Sequence, residues 1–179
     1  MHTPRFLALA VLVALTLAAC SSPATIPTPS LTPPSSSESL LNPELQARPI
    51  SPVTEESAHA EASRLADALL ALIDPATIVS VEEATQLAPA QDDLASYFML
   101  ARTITMDSSV DCLTLAETIT GVMEQSGWSV YDSANGDTTY RADLTGGSEA
   151  APWFAVIGAD TTDGRSIVTV QIASADIDE

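Results

Sequence analysis

Hydrophobic residues fall into three regimes along the chain. Positions 6–19 are almost all Leu, Ala and Val, behind a short cationic start that carries Arg5. Fourteen residues reach only about 21 Å as a helix, short of the roughly 30 Å of a bilayer core. The run therefore has the proportions of a secretory leader rather than of a membrane span. Residues 21–53 show no apolar period and hold eight of the twelve prolines and eight serines. Such a segment has too little to bury to offset the entropy of ordering it. It reads as a solvated, partly polyproline-II tether, spanning roughly 30 Å as a coil and about 100 Å when stretched.

From residue 54 onward the pattern acquires periods. Ser51-Pro52-Val53-Thr54-Glu55-Glu56 opens a helix with a capping hydroxyl, an early proline and acids at the positive dipole end. Ala58, Ala62, Leu65, Leu69, Leu72 and Ile73 keep helical spacing until Asp74-Pro75 stops it. Ser80-Val81-Glu82-Glu83 is read as the cap of a short second helix ending near Ala88-Pro89, with an extended reading of 78–81 left open. Residues 97–106 are β-rich, although 91–100 also contain helix formers. Ser108-Ser109-Val110-Asp111 then opens the clearest helix. Its stripe is Cys112, Leu115, Ala116, Ile119 and Met123, and Ser126-Gly127 closes it.

After Gly127 the period changes to two. Residues 128–132, 138–144, 153–159 and 165–173 are β-favouring runs separated by turn chemistry. Asn135-Gly136 and Asp163-Gly164 suit hairpin turns, and Gly146-Gly147 reads as a looser loop. In the last run Val168, Val170 and Ile172 alternate with Thr169, Gln171 and Ala173, so one face is buried. The expected fold is α+β: an antiparallel β-meander sheet with one or two helices packed on one face, a β-α-β-β-β-β core after an N-terminal helix. The domain organisation is then 1–19 leader, 20–53 tether beginning at Cys20, and 54–179 a small folded domain.

Charge narrows the partners. The chain carries 24 acids against 6 arginines and no lysine, a formal net charge of −18. A nucleic-acid backbone demands a basic stripe, and this chain has none. An acidic body is also repelled by anionic lipid over about 8 Å at physiological salt. The folded part is therefore expected to stand off a membrane surface.

The apolar run closes on Leu17-Ala18-Ala19-Cys20. This stretch resembles the lipobox of bacterial lipoprotein precursors. The resemblance implies a diacylglyceryl group on the Cys20 thiol and cleavage before it, with Leu17, Ala18 and Ala19 as the signal-peptidase recognition residues. Two acyl chains give stable anchoring where one gives only marginal binding. The layout of tether, helix, strand, a helix closing on Gly127-Trp128 and a meander is also similar to that of small lipoproteins of actinobacterial cell envelopes, over roughly 90–173. Some of those carry a cysteine near the carboxyl end that pairs with one near this helix. Here the end reads Ser174-Ala175-Asp176-Ile177-Asp178-Glu179, which gives Cys112 no such partner.

Candidate chemistry is sparse. Once the leader and His2 are gone, His59 is the sole histidine, with no neighbouring cysteine and no glycine-framed serine, so it reads as a solvated or rim side chain. Without lysine, Ser-x-x-Lys and Schiff-base chemistry are excluded. No zinc-ligand spacing or phosphate-cradling loop is present, so no metal, cofactor or catalytic residue is assigned. Asp132-Ser133-Ala134-Asn135-Gly136-Asp137 and Asp160-Thr161-Thr162-Asp163-Gly164 lack the calcium-loop spacing and read as turns. Glu82-Glu83 and Asp92-Asp93 read as solvated pairs, Trp128 and Trp153 as sheet anchors rather than a sugar platform. Cys112 reads as an inert core thiol, with intermolecular pairing as the alternative. The expectation is a non-enzymatic, lipid-anchored envelope protein on the outer face of a membrane that binds or presents an unknown ligand. The alternative is a carrier of a lipid or other apolar molecule in space between helix and sheet.

Overall fold

The computed structural model describes residues 42–89 and 95–177. The expected leader with Leu17 to Cys20, the expected tether as far as residue 41 and Asp92-Asp93 lie outside the described residues. The elements are α1 (Glu55–Leu70), β1 (Ile78–Pro89), β2 (Ser96–Met106), α2 (Cys112–Gln125), β3 (Ser129–Asn135), β4 (Thr139–Ser148), β5 (Ala151–Asp160) and β6 (Ile167–Asp176). All six strands join one antiparallel sheet in the order β1-β2-β6-β5-β4-β3. The chain makes the β1–β2 hairpin and crosses through α2 to the far edge. It then returns strand by strand until β6 seats against β2. Both helices pack on one face, α1 over β2 and β6, α2 over β4 and β5. The α+β fold expected from the sequence is the one observed.

Local chemistry sets the helix ends. Thr54 Oγ1 accepts from Ser57 N at 3.2 Å while Ser57 Oγ accepts from Thr54 N at 2.9 Å, a reciprocal cap that starts α1 three residues past the expected Pro52. Asp111 Oδ1 accepts from Thr114 N at 3.1 Å and opens α2. Gly127, at φ +98°, closes α2: Trp128 N donates to Met123 O and Gly127 N to Glu124 O, each at 3.1 Å. The buried Trp128 and Met123 add the apolar contact that accompanies this motif.

The strand period builds the core. Phe98, Leu100, Ile104 and Met106 of β2 and Val168, Val170 and Ile172 of β6 turn toward the helices. There they meet Leu65 and Leu69 of α1 and Ile119 and Met123 of α2. Side chains of this size contribute about 1.5–3 kcal/mol each on full burial.

Four local expectations differ from the structure, the smallest being that Asp132 to Asn135, read as turn, lie in β3, so that only 136–138 make the turn. Residues 80–89 form no helix; they belong to β1, which pairs with β2 along nearly its whole length. Ladder bonds and β-branched Val79, Val81 and Thr85 outweigh the local cap signal, as tertiary pairing commonly does. Gly146 and Gly147 are strand, not loop. Gly146 lies flat beneath the Trp128 ring, and Gly147 adopts φ +82° one residue before β4 ends. Finally, residues 42–53, assigned by composition to the tether, pack onto the domain. Leu45 is fully buried, and its carbonyl accepts from Trp128 Nε1 at 2.6 Å. Arg64 Nη2 donates to Gln46 O at 2.8 Å, and the buried Glu61 accepts from Arg48 N at 2.8 Å and from Arg64 Nε at 2.7 Å. One leucine and a few well-placed hydrogen bonds hold a strap that average composition marks as unfoldable.

Candidate functional site

Among the described residues the helices cover one face of the sheet and leave the other open. By strand register Met99, Ala173 and Phe154 are successive partners across β2, β6 and β5. Tyr97 lies two residues before Met99 and shares that face. At this end of the sheet β6 carries a bulge: Tyr97 pairs with Asp176 whereas Met99 pairs with Ala173, so two β6 residues stand opposite Phe98. Ser174 Oγ fills the gap, accepting from Phe98 N at 3.0 Å and donating to Ala175 O at 2.7 Å. The β4–β5 hairpin on one side and strap residues 49–53 on the other wall this end into a cleft of about 1040 Å³.

Aromatic rings give the cleft its character. Tyr97, Tyr131 and Phe154 all line it, with Tyr131 62% and Phe154 40% exposed. Pro49, Ile50 and Pro152 extend the apolar wall, and Asp176 and Ser148 supply oxygen at its margin. Among the described residues no histidine, cysteine or arginine lines it. Large flat apolar surfaces with a few oxygens suit retention of an apolar or flat-faced ligand, and the lining holds no acid–base or nucleophilic pair. An anion finds no cation there. All five arginines among the described residues are ion-paired elsewhere, with Glu44, Glu61, Asp67, Glu83, Asp143 and Asp160.

The residues singled out from sequence fall elsewhere. His59 is exposed on α1, its ring 5.1 Å from that of Phe98 and tilted by 41°. Cys112 is wholly buried at the start of α2, and burial, then the charge of Asp111, pushes its thiol pKa up. A thiol so placed is a poor nucleophile and is closed to a partner chain. Trp128 and Trp153 are both buried sheet anchors. Glu83 bonds Arg102 Nε at 2.8 Å, whereas Glu82 lies on the opposite face, so the pair does not converge. Asp160 Oδ1 accepts from Thr162 N at 2.8 Å and Oδ2 pairs with Arg165 at 2.9 Å; with Asp163 at φ +55° and Gly164 at φ +77° this is turn architecture. Among the described residues no group of three or more metal-ligating side chains converges.

The core fills most of the space between helices and sheet, leaving a groove of about 410 Å³ between α2 and β3–β4, lined by Glu117, Thr120, Glu124, Val130, Ser133 and Tyr140, whereas the aromatic cleft lies at the strap end of the sheet. Sequence reasoning missed its rings, yet a signal exists. Tyr97-Phe98 and Trp153-Phe154 are adjacent aromatics within strands, and a period of two must send one of each pair away from the core. Among the described residues no helix is long and apolar enough to cross a membrane. Compared with known family models and with curated proteins, the chain matches none.

Proposed function

We propose that the chain is a lipid-anchored extracytoplasmic envelope protein, held to the outer face of a membrane through Cys20, whose acidic domain binds or presents a ligand without catalysing a reaction. The observation that carries this reading is the order of the first twenty residues: a cationic start, an apolar run and Leu17-Ala18-Ala19-Cys20. The negative charge of the domain and a proline-rich tether agree with a body that stands off an anionic surface. Labelled palmitate fed to producing cells is expected on the wild-type chain and absent after Cys20→Ser. Label that persists in Cys20→Ser overturns the assignment.

The aromatic cleft favours a second reading, carriage of a lipid or another apolar molecule. Its discriminating experiment is native mass spectrometry of the purified chain. Bound lipid that disappears in Tyr131→Ser with Phe154→Ser supports carriage, and a wild-type chain without adduct supports presentation alone.

A further inference from the structure

We propose that the exposed edge of β1 pairs with β1 of a second copy, joining two domains into one twelve-stranded antiparallel sheet. β1 is a twelve-residue edge strand, long by the usual five to six residues, and it is exposed along nearly its whole length. Val79, Val81 and Leu87 stand out on it, 66%, 40% and 46% exposed. Natural edges are commonly blunted by lysine, by an interior proline or by a covering helix. This one has no lysine, carries its bulge at Val79 outside the stretch 81–87, holds its only two charges side by side at Glu82 and Glu83, and reaches a proline only at its last residue, Pro89. α1 packs over β2 and β6.

The sequence of β1 selects the partner and the register. A two-fold axis perpendicular to the sheet requires residues i and j to share a face, so the axis passes midway between one residue and the same residue of the second copy. Centred on Ala84, it sets Val81 against Leu87 twice, joining two of the exposed apolar side chains. Glu83 then faces Thr85, and Glu82 faces Gln86, whose amide donates to the carboxylate. No acid opposes an acid. Centring on Glu83 or Glu82 sets like charges opposite each other, and centring on Thr85 places Glu83 against Leu87. Glu83 is also neutralised within its own chain by Arg102 at 2.8 Å. The two β2 strands would lie about 14 Å apart, three strand spacings, so the helices of the two copies have room on their common face. The open faces become one continuous surface.

Cysteine scanning of the full chain tests the register. Ala84→Cys faces its own copy across the axis and is expected to give a disulfide-linked dimer under mild oxidation, well above the unsubstituted chain. Glu82→Cys alone is expected to stay at background, while Glu82→Cys with Gln86→Cys cross-links. Sedimentation of the wild-type chain is expected to show twice the monomer mass, more completely as salt screens the −18 charge of each copy. Val81→Lys with Leu87→Lys, both on the exposed edge, returns the monomer with an unchanged circular-dichroism spectrum. Monomer mass at every salt concentration, or Glu82→Cys cross-linking as well as Ala84→Cys, overturns the proposal.

Discussion

A methyl group added at Gly146 would stand 2.6 Å from Cδ2 of Trp128 and 2.7 Å from its Cε3, closer than carbon atoms approach. The indole cannot swing aside cheaply, because its Nε1 donates to the buried carbonyl of Leu45. Gly146→Ala is therefore expected to cost about 1–3 kcal/mol in urea unfolding, with a shift in the tryptophan emission of the folded state. Arg102 is the other sensitive position. Its buried guanidinium bonds Glu83 on β1, and its Nη1 stands 2.7 Å from Asp67 Oδ1 on α1 as an ion pair rather than an aligned hydrogen bond. Losing it removes the side-chain link from edge strand to helix but leaves acids that can turn to water. Arg102→Ala is expected to destabilise by about 1–3 kcal/mol, below the range for a fully buried pair. Asp67, 69% exposed, is replaceable by Asn at under about 1 kcal/mol. Equal losses for the two variants would show that Glu83 contributes nothing.

The start of α2 carries a pH dependence whose sign follows from its hydrogen bonds. The Thr114 backbone N–H, then its hydroxyl, holds the Asp111 carboxyl below its ordinary range, and Ser109 does the same for Asp107. A lowered folded-state pKa adds stability above the unfolded value, near ~3.9, and loses it as the pH falls through the folded one. Melting temperature should therefore fall on acidification below about pH 4, and Asp111→Asn, which keeps an acceptor but does not titrate, should shrink that fall. These ends were legible in the sequence because caps act within three or four residues. The same locality misled at Ser80-Val81-Glu82-Glu83, where a cap-like tetrad is overruled by β2, a strand that comes later in the chain. The meander after Gly127 was legible from its period of two. The cleft was not, since Tyr97, Tyr131 and Phe154 belong to three strands, and only the register of β2 with β6 and of β6 with β5 gathers two of them on one face.

At the scale of the whole molecule, the open question of organisation is where the tether ends and the domain begins. Composition puts that boundary at 54, because proline and serine dominate the average over 21–53. Packing puts it at or before 42, because a few residues outweigh that average. Leu45 has no exposed surface, Trp128 holds its carbonyl, and Glu61 and Arg64 hold the strap just beyond it, at Arg48 N and Gln46 O. The two boundaries predict different chemistry for one substitution. A leucine in a solvated tether can be cut to alanine at no cost, whereas one in a packed core loses about 2–5 kcal/mol. Leu45→Ala is accordingly expected to lower the urea midpoint of the domain by an amount typical of core positions such as Leu65. A chain beginning at 54 should be less stable still, since it also strands the Trp128 N–H and leaves Glu61 and Arg64 without their strap partners. Palmitate incorporation, if Cys20 carries it, should be untouched by Leu45→Ala, which separates a folding defect from a loss of anchoring. An unchanged midpoint in Leu45→Ala would return residues 42–53 to the tether and leave the cleft without the wall that 49–53 provide.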